Sequence, residues 1–168
     1  MIKFEKKNYL YKIYSWIPIL ILYISVFNEF DLNYLNIEYF SFNFPFVLIF
    51  FFSLKEYSRF DYLLVFFSGL VNDTVVGLPL GLSSLSYILI CIFASYLRNI
   101  TIRPDLIKDW FYFLFIISLI NSLNYSILFL FFNYDLDIMF YLVNNFFTFI
   151  LYIPLTLIFD YYLKGLND

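Results

Sequence analysis

All ten lysines and arginines of this chain fall in alternate gaps between its apolar stretches, and that placement restricts its fold severely. The stretches are six: Leu10–Phe27, Tyr39–Leu54, Phe60–Leu78, Leu80–Leu97, Trp110–Phe132 and Ile138–Leu163. Lys3, Lys6, Lys7 and Lys12 stand at the start of the first. Lys55 and Arg59 separate the second from the third, Arg98, Arg103 and Lys108 the fourth from the fifth, and Lys164 follows the sixth. The remaining gaps carry no basic residue and hold Glu29, Asp31, Glu38, Asp135 and Asp137. A helix needs about 20 apolar residues to cross a hydrocarbon core of roughly 30 Å, and basic residues stay on the cytoplasmic side during insertion. Six crossings put every cation on one side and both termini in the cytoplasm. The second stretch is short, with Phe46–Phe52 its continuous apolar core. Were it not to cross, Lys55 and Arg59 would break the pattern.

Composition supports a membrane solvent. Of 168 residues, 63% are hydrophobic and 14% charged, against roughly 45–50% and about 25% in soluble domains. No stretch alternates polar and apolar residues as a membrane β-strand does, so an all-α integral membrane bundle is expected. Single-domain organisation over 1–168 is expected too, since no linker or repeat interrupts the chain. The basic start followed by Leu10–Phe27 resembles a secretory signal, but its length and the lack of a small-x-small site point to a retained first helix.

Chemistry is sparse. With no histidine, neutral-pH proton shuttling and His-ligated metals are excluded. The lone cysteine, Cys91, lies in an apolar run and reads as a buried, inert thiol. No P-loop, nucleophile-elbow, zincin or Asp-rich metal motif occurs, and Ser95 and Thr156 are hydroxyls without a neighbouring base. The expectation is a protein without enzymatic activity, cofactor or metal, and without nucleic acid as a partner.

One stretch departs from this pattern: GLVNDTVVGLPLGLSSLSY, from Gly69 to Tyr87, holds three of the four glycines and the acid Asp73. Asp73 follows Asp61 by twelve residues, roughly 18 Å along a helix, which is past the midplane. An acid there costs about 2.5–3.5 kcal/mol on insertion scales, so it must face other helices. Gly69, Asp73 and Gly77 share a helix face, and glycines at that spacing allow close helix approach. Asn72 flanks the stripe. Pro79, between Gly77 and Gly81, ends the helix, and Ser83 opens the next. Ser118, Asn121 and Ser122 in the fifth stretch, and Asn144, Asn145 and Thr148 followed by Pro154 in the sixth, form further polar positions. Their spacing suggests that the third, fifth and sixth helices face one another. Two readings stand for this seam: hydrogen-bonded helix packing, or a site for a ligand, ion or partner.

The pattern Gly69, Asp73, Gly77, Pro79, Gly81, followed by a Leu- and Ser-bearing helix, resembles the signature of the MreD family of bacterial rod-shape-determining membrane proteins. Chain length, the Pro45 that opens the short second stretch, and the sixth helix with Pro154 and the tail at Lys164 are similar to that family as well. The resemblance implies a non-enzymatic scaffold of the cell-wall elongation complex in the bacterial cytoplasmic membrane. Its implied partners are an MreC-like protein and, through it, MreB, RodA and the elongation transpeptidase. The family's fold is similar to the small-molecule-binding S components of energy-coupling-factor transporters, so the alternative implied is a ligand-binding part of a transporter. On that alternative, Asp73, Ser83, Asn121 and Asn145 would line a cavity.

Overall fold

The computed structural model describes residues 16–27, 41–55, 61–101, 105–134 and 138–167. The described residues form six helices and no strand: α1 Ile17–Phe27, α2 Phe44–Leu54, α3 Tyr62–Val76, α4 Leu82–Ile100, α5 Leu106–Phe132 and α6 Ile138–Asn167. Three of them, α4, α5 and α6, are long and apolar enough to cross a membrane. The other three are shorter apolar helices. The surface agrees with a membrane protein: α5 exposes Phe115, Leu130 and Phe131, and α4 exposes Ile92 and Tyr96. Rings and aliphatic chains at that density are costly against water and cost nothing against lipid tails.

The helix starts follow local chemistry. Asp61 and Asp105 are the N-caps of α3 and α5, their carboxylates accepting from Leu63 N and Ile107 N. Asn43 caps α2, with Pro45 in the first turn, where a missing N–H is harmless. Residues 41–43 are therefore outside the helix, and α2 begins later than the apolar run from Tyr39 implies.

α2 is the centre of the bundle. Phe46 to Phe52 are all buried, so the helix is enclosed on every side, as expected of one that is apolar all round. It packs on α4, α1 and α6. Phe50 meets Phe113 and Tyr152, Phe46 meets Tyr87, and Phe51 and Phe52 meet Phe159, at ring separations of 5.1 to 5.9 Å. The expectation that α3, α5 and α6 face one another holds for α5 and α6 but not for α3. α3 packs on α4 and α1, whereas α5 packs on α6 and α4.

Successive helices run in opposite directions, which separates two chemically distinct ends. At one end, Lys55 pairs with Asp160 at 3.5 Å, and Arg98 donates to the Ser53 carbonyl at 3.1 Å. Lys108 lies in the first turns of α5 and Lys164 in the last turn of α6, so every described cation is at this end. Among the described residues the other end carries amides and hydroxyls and no cation, with the Asp73 carboxyl buried behind them. Lys3, Lys6, Lys7, Lys12, Arg59, Arg103 and the two acidic gaps at 28–40 and 135–137 lie outside the described residues.

Candidate functional site

The junction between α3 and α4 is built around Asp73. The backbone carbonyl of Asp73 closes the end of α3, accepting from Gly77 N and, at 2.9 Å, from Leu78 N. These are the bonds of a left-handed helix terminus, and Gly77 supplies the required conformation at φ 76°. The side chain of the same residue opens α4. Its two carboxylate oxygens accept from Gly81 N at 2.7 Å and Ser83 N at 2.9 Å. The capping position of α4 is Gly81, at φ 99°, which has no side chain to offer. Asp73 therefore does the work of an N-cap from eight residues upstream, and its carboxyl group faces the positive end of the α4 dipole. Asp73 is fully buried. The turn between is held by Leu82 N donating to the Pro79 carbonyl.

The three glycines of the motif act differently. Gly69 lies where α3 and α4 touch: a Cβ there would stand 2.6 Å from Ser84 N and against its Cα. Ser84 Oγ donates across the contact to the Phe66 carbonyl at 3.0 Å. Gly77 and Gly81 have nothing within 4 Å of an added Cβ, so their role is backbone conformation and not close approach. Asn72 donates to Ser83 Oγ at 2.9 Å and finishes the junction.

The polar positions of α5 and α6 divide into two groups. Asn121 donates to Asn145 at 2.6 Å, Asn144 to Ser41 Oγ at 2.8 Å, and the Asn43 backbone N–H to Thr148 Oγ1 at 2.8 Å. These bonds tie α5 to α6 and pin the start of α2. Ser118 and Ser122 face outward on α5 and take no part in this seam. Pro154 is exposed within α6, and Thr156 in the next positions donates to the Ile153 carbonyl. Cys91 is buried, 3.4 Å from Ser53 Oγ.

Above the Asp73 junction is a cleft of about 280 Å³ at the uncharged end of the bundle. Asn72, Ser83, Asn121 and Asn144 line it; Asp73 and Asn145 lie behind its wall. Sequence reasoning passed over several of its polar lining residues, among them Ser25, Asn43, Asn124 and Tyr141. Asn124 was visible in principle, since it falls one turn beyond Asn121. Ser86 Oγ lies 3.0 Å from the Asn124 amide and 2.9 Å from the Leu82 carbonyl, and so joins α4 to α5 at the cleft. Among the described residues no group of three or more acidic, cysteine or histidine side chains is placed to hold a metal. Comparison with protein families, curated proteins and solved structures finds no match to the chain.

Proposed function

We propose that the chain is a non-enzymatic scaffold of the bacterial cytoplasmic membrane, similar to the MreD family, that holds an MreC-like protein in the cell-wall elongation complex. The observation that carries the proposal is the α3–α4 junction, in which Gly69, Asp73, Gly77, Pro79 and Gly81 form one closed structural unit. The motif thus has a physical reason to persist that needs no catalysis. Six crossings with both termini cytoplasmic are part of the same reading. Grouping of the described cations at one end supports it. The shortness of α2 does not count against a crossing. Residues 41–43 lead into α2 and bond to α6, and irregular backbone is tolerated at membrane depth where protein surrounds it.

The test is purification of the tagged chain from its native membrane in mild detergent, with mass spectrometry of what accompanies it. Recovery of an MreC-like protein with RodA supports the scaffold. Recovery of an ATPase coupling complex, with no wall-synthesis protein, refutes it in favour of transport. Cysteine labelling at Leu80 and at Lys164, in a Cys91→Ala background, tests the crossings: modification of both from the same side of the membrane removes the six-span topology.

A further inference from the structure

We propose that the cleft at the uncharged end of the bundle is a binding site for a small, uncharged, polyhydroxylated molecule of monosaccharide size. The proposal is independent of the scaffold reading, since it uses the cleft alone.

Five asparagines from four segments converge there: Asn43 before α2, Asn72 of α3, Asn121 and Asn124 of α5, and Asn144 of α6. Each has one end of its amide engaged. Asn72, Asn121 and Asn144 donate through Nδ2 to Ser83, Asn145 and Ser41. Asn43 accepts through Oδ1 from Phe46 N, and the Asn124 amide bonds to Ser86 Oγ, which also meets the Leu82 carbonyl. These bonds hold each amide in place by one end. The other end of each has no protein partner among the described residues. The cleft is therefore a mixed ring of acceptors and donors held in place by the fold.

The chemistry of the ring selects its ligand. None of the described lining residues carries a charge. The nearest carboxylate, Asp73, has both oxygens on backbone N–H groups. A phosphate, carboxylate or ammonium entering would lose its hydration with no counter-charge, at a cost of several kcal/mol. A hydroxyl donates and accepts at once, so a polyol matches acceptors and donors around one small cavity. Apolar and aromatic surface at Phe46, Leu128, Phe140 and Tyr141 suits the C–H faces of a sugar ring. At about 30 Å³ for each water's share of liquid, 280 Å³ corresponds to about nine waters, close to the size of one hexose. The source is either a free sugar or the headgroup of a glycolipid, which present the same chemistry.

The experiment measures thermal unfolding of the full chain by tryptophan fluorescence, in a detergent without a sugar headgroup. Probes are glucose, N-acetylglucosamine and myo-inositol, with glucose 6-phosphate and glucosamine as charged controls. Expected is a saturable rise in Tm with at least one neutral probe and none with the charged ones. Asn124→Leu, which removes the free end of its amide, should weaken the apparent affinity roughly tenfold, as loss of a ligand hydrogen bond with net strength near the top of its range does. Val76→Trp fills the cleft from its exposed rim without removing a hydrogen bond, and should abolish the shift even if Asn124→Leu folds poorly. Tighter binding of a short alkyl glycoside than of its free sugar assigns a lipid headgroup, and equal binding assigns a solute. No saturable shift with any neutral probe, equal response to glucose 6-phosphate, or parental binding by Val76→Trp would overturn the proposal.

Discussion

Replacement of Asp73 separates a structural acid from a functional one. Its carboxylate satisfies two backbone N–H groups at 2.7 and 2.9 Å, and the residue is fully buried. In Asp73→Ala both N–H groups lose their acceptor where water is excluded. A buried unsatisfied donor costs about 1–3 kcal/mol, and an N-cap replaced by Ala about 0.5–2 kcal/mol. The sum expected is about 1.5–5 kcal/mol. Asp73→Asn keeps one acceptor and turns an NH2 group toward the second N–H, so about half of that loss is expected. The measurement is reversible unfolding in mixed micelles, followed by far-ultraviolet circular dichroism as denaturing detergent is titrated. An Ala variant within about 0.5 kcal/mol of the parent would refute the capping argument. So would an Asn variant as damaging as Ala. An Asn variant more stable than the parent would show an acid retained for function at the expense of stability.

The motif glycines give opposed outcomes. Gly69→Ala must push α4 away at Ser84 and should cost about 1–3 kcal/mol, the range for overpacking, read in the same titration. Gly77→Asn should be nearly silent, because asparagine tolerates the left-handed conformation and nothing crowds the position, whereas Gly77→Val should cost about 1–2 kcal/mol. Asn121→Leu and Asn145→Leu should show a coupling near 0.6 kcal/mol in a double-mutant cycle, since each removes the partner of the other. Trp110→Phe retains a ring against Phe149 but loses the Nε1–H bond to the Phe149 carbonyl at 2.7 Å, with an expected loss of about 0.5–1.5 kcal/mol.

The turn between α3 and α4 was legible because Gly77, Pro79 and Gly81 act through their own backbone. The function of Asp73 was not legible, because its two bonds reach eight and ten residues forward, beyond the range where a cap is sought. Glycine spacing announced a close approach at Gly69 but not its partner, which is the next helix in the chain. The start of α2 was recoverable: Asn43 followed by Pro45 is an N-cap with a first-turn proline, a stronger signal than the onset of apolar residues at Tyr39.

The misplaced serines on α5 have a deeper cause. In water a helix shows its buried face by hydrophobic contrast, and a polar side chain points to solvent. Here the outer face is as apolar as the inner one, so contrast vanishes and only polar residues are left to mark a seam. A serine marks it poorly. Its hydroxyl can bond to a carbonyl of its own helix, as Ser126 does to Ser122 at 2.8 Å on the exposed side of α5, and Thr74 does to Val71 at 2.7 Å on α3. It then needs no neighbour and sits against lipid at little cost. Asparagine has two donors and an acceptor on a planar group, more than its own helix can satisfy. It is driven inward to other side chains or to a cavity, and Asn72, Asn121, Asn124, Asn144 and Asn145 all lie on inward faces. On α5 and α6 the asparagines mark the interior face better than the serines do, whereas on α3 and α4 Ser68, Ser83, Ser84 and Ser86 are themselves buried.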